Sequence, residues 1–334
     1  MQQLEPRHAN ENTLPEAATQ AQWLDMLIGE ADRLNKKGKE GAINSQTAFK
    51  SDIQHLRKWL KTHLDAQLPI DPHTLGLYLT HQSAEDKFST LQRRLTSITK
   101  WHLRAGEPSP TGDVLIQDLM EGIKREIGID VKQAQAYEIG HFKAVIRRFG
   151  ITLPDLRDKA MLLLGFTGAF RRSELVALNV EDLCFTITET SAELVVTYFG
   201  SKTNQYGQKE EKAIFGAEEI GICPVRSLRA YLAATGLTCG PLFVRMRRTG
   251  RQKTHTLTGD RLSDRQVDLL VRRELGTLYS AHSLRASFVT EAKLNGAQDS
   301  EIMHQTKHKT TAMIRRYTRL GEIKKHNAAK KLGL

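Results

Sequence analysis

The spacing of the apolar residues constrains this chain most, because it follows a helical period in most of residues 23–127. Apolar side chains recur three and four positions apart within residues 49–64 and 91–103, which places them on one face of an α-helix. Ser45 is the predicted N-cap of the first of these helices. Three further stretches show the same period: residues 23–34, 74–79 and 114–127. The pattern predicts an all-helical domain over residues 21–127, preceded by a flexible polar tail over 1–20.

The pattern changes after residues 128–135, a short polar segment that predicts an interdomain linker. Helical periods continue at first, but residues 194–199, Leu-Val-Val-Thr-Tyr-Phe, are β-branched and aromatic, which is typical of a strand. Residues 212–215 predict the returning strand after a turn-rich loop, and residues 245–262 predict a basic loop. We therefore expect a mostly α fold of two domains, in which the second domain, residues 136–334, is mainly helical and carries a small antiparallel β-sheet.

The composition of the chain indicates which class of partner it binds. The chain carries 49 Lys and Arg against 38 Asp and Glu, and residues 305–334 hold nine basic residues against one acidic residue. A local basic excess favours binding to nucleic acid. No apolar run reaches the roughly 18 residues of a membrane span, and residues 1–20 contain no apolar signal core, so we expect a cytoplasmic, DNA-associated protein. Neither a disulfide framework nor a structural zinc site is expected from three widely separated cysteines, Cys184, Cys223 and Cys239.

Four short pieces of sequence carry groups suited to phosphate chemistry. In the first, Arg171 precedes Glu174 by about one helical turn. A guanidinium presents a planar fork of donors to phosphate oxygens, and the carboxylate could hold it in place. The other pieces are Lys202 between the predicted strands, the pair His282-x-x-Arg285, and His308 followed nine residues later by Tyr317. Taken singly, each is more often a surface ion pair or an isolated side chain.

A zinc hydrolase built on His304-x-x-x-His308 is a different interpretation of one of these pieces. The motif lacks the adjacent Glu of the zinc-protease pattern, and short motifs of this kind often occur by chance.

In this order, the pieces resemble the active site of the tyrosine recombinase (phage integrase) family, which comprises Arg, a hairpin Lys, His-x-x-Arg, a His or Trp, and a Tyr. The resemblance covers nearly the whole chain. It is greatest to the Cre-like members, in segments such as 90–95, 104–110 and 261–265.

The chain departs from the family pattern at two places. Ala286 follows the second arginine, where many relatives have His or Lys, and residues 306–308 are Thr-Lys-His where many have Leu-Gly-His. Two adjacent arginines also compete for the first position. The register against the following Ser-Glu-Leu favours Arg171 over Arg172.

The resemblance implies covalent catalysis through a 3′-phosphotyrosyl intermediate. Tyr317 is the expected nucleophile toward a backbone phosphodiester. Arg171 and Arg285 would clamp the non-bridging oxygens of the transition state, and His308 would donate a further hydrogen bond.

The proton transfers are assigned by the same resemblance. His282 would accept or orient the proton of the tyrosine, and Lys202 would protonate the leaving 5′ oxygen. Glu174 would support the basic groups. No cofactor, metal ion or ATP is expected.

The resemblance further implies DNA contacts from both domains. The first domain would contribute Thr47, Lys50, Gln92 and Arg93. The second would contribute Arg245, Arg247, Arg248 and Arg265. A capping box opening at Ser263 is the predicted start of the helix that carries Arg265, and bidentate Arg to guanine is the commonest specific base contact.

The expected assembly is a C-shaped clamp on double-stranded DNA with inverted-repeat half-sites. The active form would be a homotetramer that passes through a Holliday junction, with the C-terminal helix exchanged between protomers and no membrane involved. Two alternatives stay open: a catalytically inactive, sequence-specific DNA-binding protein on the same fold, and a type IB topoisomerase.

Overall fold

The computed structural model describes residues 26–34, 43–129, 134–201, 204–249 and 254–314. The chain divides into two units, Met1–Val131 and Lys132–Leu334. This division falls within the polar segment 128–135 in which the sequence places a linker.

Helices form the first unit within the described ranges. They are α1 (Ile43–His63), α2 (Pro72–Ser83), α3 (Phe88–Ala105) and α4 (Val114–Ile127), and residues 26–34 are also helical. Asp71 caps α2 by accepting a hydrogen bond from the backbone nitrogen of Thr74 at 2.7 Å. Gly106 ends α3 in the left-handed conformation, at φ 75°, which suits a residue without a Cβ. The apolar faces meet in one core, which includes Leu56, Leu60, Leu75, Tyr78, Leu79 and Leu91.

The predicted start of α1 is wrong. The helix begins at Ile43, so Ser45 lies inside its first turn and its side chain is exposed. Serine is favoured at the N-cap and tolerated in the first turn, and this preference marks the end of a helix only to within one or two residues.

The second unit alternates helices with two small sheets. Its elements are α5 (Ile139–Arg147), α6 (Leu153–Thr167), α7 (Arg172–Ala177), β1 (Leu183–Ile187), β2 (Ala192–Ser201), β3 (Asn204–Phe215), α8 (Pro224–Thr235), β4 (Val244–Thr249), β5 (Thr254–Arg261), α9 (Asp264–Leu275), α10 (Ala281–Leu294) and α11 (Asp299–Thr306). One antiparallel sheet has the order β1-β2-β3, and the other pairs β4 with β5. The expected mostly α fold with a small antiparallel sheet is therefore confirmed.

Both loops predicted in this unit are largely strand. Residues 245–262 contain the β4–β5 hairpin, and β2 and β3 extend through most of residues 200–207. Polar residues dominate these segments, so the apolar alternation that signals a strand is missing. The ladder itself stabilises them: Met246 pairs with Leu257 and Arg248 with His255.

A single helix lies at the centre of the second core. Residues 160–165 of α6 are all buried, and α6 packs against α8 and α10. Because this helix is enclosed, the turn that follows it is held rigidly at one end. Within the ranges given above, none of the helices has the length and apolar character needed to cross a membrane.

Candidate active site

The site is built around residues 168–171, which join α6 to α7: a turn formed by residues 168–170, followed by Arg171 as the N-cap of α7. Gly168 follows α6 and donates its backbone hydrogen to Leu164 at 2.9 Å. A Cβ at this position would stand 2.2 Å from the Phe170 ring, so only glycine fits. Ala169 has a φ of +46°, which is unfavourable for a residue with a Cβ. The turn therefore depends on its surroundings to keep this conformation.

Arg171, at the end of this turn, is held by Glu174. Its backbone nitrogen donates to one carboxylate oxygen of Glu174 at 3.0 Å, and its guanidinium donates to the other at 2.5 Å. The side chain of Glu174 is 3% exposed and that of Arg171 is 17% exposed. The neighbouring Arg172 is 52% exposed and pairs with Asp264 at 3.0 Å. The two competing arginines thus differ sharply: one is anchored inside the unit, and the other lies on its surface.

Arg285 is the largest fully buried side chain of the described residues. One guanidinium nitrogen donates to the carbonyl oxygen of Ala169 at 2.7 Å, and another donates to the carbonyl oxygen of Thr306. These bonds join α10 to the turn before α7 and to the end of α11. His282, one turn earlier on α10, is exposed, so the two members of the His-x-x-Arg pair lie at different depths.

His308 follows α11 and is buried. The hydroxyl of Thr306 donates its single hydrogen to Ile302 at 2.6 Å, so it can only accept from the Nδ1 of His308, which lies 2.9 Å away. The neutral ring therefore carries its hydrogen on Nδ1. A hydrogen bond donated from Nε2 to a phosphate requires the ring to gain a second proton.

Electrostatics show that the basic groups converge. Burial, together with the charges of Arg285, Arg171, His282 and Lys212, lowers the pKa of His308 to about 3. A group of cations around a neutral imidazole forms a centre that favours an anion with several oxygens, such as a phosphodiester.

Lys212 is a member of this group that sequence reasoning missed. It is 1% exposed, and its ammonium donates to the carbonyl oxygen of Gly168 at 2.8 Å. Burial lowers its pKa to about 7, while the nearby Glu174 opposes that shift. A signal was available: Lys212 lies two residues before the buried Ile214 on β3 and therefore on the inward face of the strand.

The remaining predicted catalytic residues, Lys202 and Tyr317, lie outside the described residues. Lys202 falls between the end of β2 and the start of β3 in sequence. His304, the partner in the zinc interpretation, is exposed, and no group of three or more His, Cys, Asp or Glu that could hold a metal is found in the part of the chain that the structure describes.

The predicted DNA contacts of the first unit lie on α1 and α3. Thr47, Lys50 and Gln92 are exposed. Arg93 is 46% exposed, but its guanidinium is bound by the buried carboxylate of Asp52, whose second oxygen accepts from Ser97 at 2.8 Å. Arg93 is therefore held in one orientation before any partner arrives.

In the second unit, Arg265 and the three arginines of β4 (Arg245, Arg247 and Arg248) are exposed. The capping box predicted to open α9 is wrong. Ser263 is the N-cap but makes no side-chain capping bond, because the nitrogen of Gln266 donates to the backbone oxygen of Ser263 at 3.0 Å.

Comparison with known proteins identifies relatives over most of the chain, although no protein-family model matches the sequence. The chain is 33% identical over 304 residues to an integrase/recombinase XerD homolog of Selenomonas ruminantium, which covers 88% of this chain and 86% of the relative.

Solved structures share the fold at lower identity. The XerH site-specific recombinase, in a post-cleavage complex with a palindromic difH substrate, matches with a TM-score of 0.64 and 15% identity over 89% of this chain and 82% of that one. A lambda integrase dimer bound to a COC′ core site matches with a TM-score of 0.54 and 17% identity over 90% of this chain and 95% of that one. The likeness to Cre-like members is not tested by these comparisons and stays a prediction. With a relative of this identity along nearly its full length, the chain belongs to the tyrosine recombinase family of site-specific recombinases.

Proposed function

We propose that this recombinase cleaves and rejoins duplex DNA at one scissile phosphate bound between Arg171 and Arg285, with Tyr317 as the nucleophile. The observation that carries the proposal is that the charges of both guanidinium groups act on His308, while Arg285 also binds the turn that directly precedes Arg171. Each guanidinium is already anchored on its inner side by protein oxygens. Donors fixed in this way need little reorganisation when charge develops on the phosphate.

The reaction is a pair of transesterifications. The phenol oxygen of Tyr317 bonds to phosphorus as the bond from phosphorus to the 5′ oxygen breaks, which yields a 3′-phosphotyrosyl ester and a free 5′ hydroxyl. His282 takes or orients the phenol proton, and Lys202 gives a proton to the 5′ oxygen. The ester conserves the energy of the original bond, so a 5′ hydroxyl can attack it and rejoin the strand without ATP. Two guanidinium groups and a lysine supply the positive charge that a metal pair supplies in other phosphoryl transferases.

His308 takes part in this scheme as an imidazolium. The neutral ring holds its hydrogen toward Thr306, so donation to a non-bridging oxygen needs a second proton. A bound phosphate supplies the negative charge that favours that proton and offsets the neighbouring cations. Binding of the scissile phosphate is therefore accompanied by proton uptake.

DNA recognition in this proposal uses contacts from both units. Thr47, Lys50, Gln92 and Arg93 contact DNA from the first unit, with Gln92 and Arg93 in the major groove. From the second, Arg265 reads bases, and Arg245, Arg247 and Arg248 bind phosphates. Glu174 keeps Arg171 in place throughout.

The proposed assembly is a homotetramer on two copies of a site with inverted half-sites. It exchanges strands through a Holliday junction, with the C-terminal helix passed between protomers. The palindromic substrate of XerH and the dimeric lambda integrase complex support this arrangement by analogy. A protein acting on DNA in this way is expected in the cytoplasm, associated with DNA.

The test is covalent capture on DNA. Binding-site selection from random duplexes first supplies a site, and a nicked suicide version of it then traps the covalent complex. We expect the wild-type chain to form a protein–DNA adduct and Tyr317→Phe to bind with unchanged affinity but form none. Tyr279→Phe is the control and should form the adduct normally.

The same substrates distinguish the alternatives. Absence of an adduct with the wild-type chain would support an inactive DNA-binding protein. An adduct combined with relaxation of supercoiled DNA, but without exchange between two copies of the site, would indicate a topoisomerase.

A further inference from the structure

The buried ammonium group of Lys212 has no role in the reaction scheme above. Lys212 pairs with Val196 in the β2–β3 ladder and points into the core of the second unit. Its nitrogen stands 4.2 Å from the centre of the Phe170 ring and 5.5 Å from that of Tyr198. A charged group in such surroundings costs free energy through lost hydration, as its lowered pKa shows. An apolar side chain of similar length would fill this space at lower cost, so stability alone does not explain a lysine here.

The contacts of Lys212 converge on the turn that presents Arg171. Its ammonium binds the carbonyl oxygen of Gly168 at 2.8 Å, while Arg285 binds the next carbonyl, that of Ala169, at 2.7 Å. Phe170 places its ring against the ammonium, and Arg171 follows directly. Three consecutive residues of the turn are therefore held by groups from two other elements, β3 and α10.

The turn needs such support because it is conformationally costly. Ala169 adopts a positive φ, a state that non-glycine residues keep only when surrounding contacts favour it. Without an external donor, the carbonyl of Gly168 would lose the hydrogen bond that sets the plane of the peptide before Ala169. The orientation of this peptide sets both the direction in which Arg171 leaves the turn and the position of the Ala169 carbonyl that Arg285 binds.

We infer that Lys212 is a positioning residue of the phosphate site, whose ammonium fixes the 168–170 turn so that Arg171 and Arg285 meet the same phosphate. The inference rests on the proposed function and adds to it. This positioning role differs from the proton donation proposed for Lys202. The ammonium of Lys212 is enclosed and bound to a backbone carbonyl. It acts through the two arginines and does not touch the substrate.

The charges facing Lys212 fit this role. Glu174 on α7 favours its charged form, whereas Arg285, Arg171 and Lys307 oppose it. Glu174 thus balances both Arg171 and Lys212. The ammonium of Lys212 binds Gly168 at one end of residues 168–171, and the carboxylate of Glu174 binds Arg171 at the other end.

The test compares Lys212→Met with Lys202→Ala in single-turnover cleavage of the nicked suicide substrate. Two substrates are used, one with the ordinary 5′ oxygen and one with sulfur at that bridging position. A thiol has a pKa of about 8.5 and leaves without a donated proton. A loss of proton donation is therefore restored by sulfur, and a loss of positioning is not.

We expect Lys212→Met to cleave the ordinary substrate about 100-fold more slowly, the size of effect that a misplacement of about 1 Å produces. The sulfur substrate should leave this defect in place and should restore Lys202→Ala. DNA affinity should be unchanged, and the unfolding temperature should stay within about 4 °C of wild type. Lys209→Met is the matched control, since Lys209 lies on the exposed face of the same strand, and it should cleave at the wild-type rate.

Two outcomes would overturn the inference. Wild-type cleavage by Lys212→Met would show that the turn does not need the ammonium, and restoration of that variant by sulfur would make Lys212 a proton donor. If Lys212→Met does not fold, Lys212→Gln, which keeps a donor without the charge, is assayed by the same criteria. Failure of the proposed function would give a different result, because the wild-type chain itself would then form no adduct on either substrate.

Discussion

The phosphate site of the second unit and the α1–α3 surface of the first unit both present basic side chains, but they hold them differently. Arg285 and Lys212 are fully buried and bind backbone carbonyls, and Arg171 is bound to a buried carboxylate. On α1 and α3, Lys50 and Gln92 extend into solvent. Chemistry on a phosphate requires donors that are fixed beforehand, whereas recognition along a groove tolerates side chains that adjust on contact.

Arg93 is the exception on the α1–α3 surface, because it is anchored in the same way as Arg171. Like Arg171, it is bound by a carboxylate that is almost fully buried. Its exposed fraction is nearly three times that of Arg171. A fixed but accessible guanidinium matches the requirement for bidentate contact with a guanine edge. The comparison therefore singles out Arg93 as the most constrained of the proposed contacts in the first unit.

The largest effect is expected at Arg285. Arg285→Lys keeps the charge but cannot span the carbonyls of Ala169 and Thr306 and also face a phosphate, because it lacks the planar fork. Single-turnover cleavage should fall about 100- to 1,000-fold, the usual cost of losing one fixed transition-state donor. Arg272→Lys, an exposed arginine of the same unit that pairs with Asp268, serves as the control. Equal cleavage rates for Arg285→Lys and Arg272→Lys would contradict the view that only the buried, fixed arginine takes part in the chemistry.

A smaller effect is expected when the anchor of Arg93 is removed. Asp52→Asn frees the guanidinium, and the preference for the selected site over a scrambled one should fall about tenfold, or about 1.4 kcal/mol. Cleavage at saturating DNA should not change. The preference is measured as the ratio of the equilibrium binding constants for the selected and the scrambled duplex.

Lys50→Ala removes an exposed cation from the same α1–α3 surface. Loss of one exposed cation should weaken binding to both duplexes alike and reduce the slope of log K against log salt by about 0.9. A loss of preference for the selected site as large as that of Asp52→Asn would mean that anchoring has no part in recognition.

A separate effect, on folding stability and not on DNA, is a pH dependence that arises at the buried site. The pKa of His308 is about 3 in the folded chain and about 6.5 when unfolded. Between these values the unfolded chain binds a proton that the folded chain does not. The contribution of His308 is therefore present above pH 6.5 and is lost as the pH falls, at no more than about 1.4 kcal/mol per pH unit.

Urea unfolding between pH 7 and 4 checks this. His308→Gln should lose stability less steeply than wild type as the pH falls. His304→Gln, an exposed control four residues away, should follow the wild-type slope. Identical slopes for all three proteins would mean that His308 ionises freely in the folded state.

Sequence reasoning located most helices and the β2–β3 pair, because their apolar periods are strong. It also placed Glu174 where it could hold Arg171, and that contact is present. The β4–β5 hairpin was missed because its residues are mainly polar. Lys212 and Asp52 were missed as well, because a charged residue in an amphipathic segment is usually expected to face solvent.

The chemical inventory of this protein was determined by the sequence alone: two arginines, a lysine, two histidines and a tyrosine in the order of the recombinase family, carried on a mostly helical chain. The tertiary structure decided which of the described groups are enclosed and what holds them. Local periodicity shows the face on which a residue lies, but the carbonyls of Gly168 and Ala169 meet Lys212 and Arg285 only when segments more than 40 and 110 residues apart pack together. Packing over such separations depends on the fit of whole surfaces, which short-range sequence patterns do not describe.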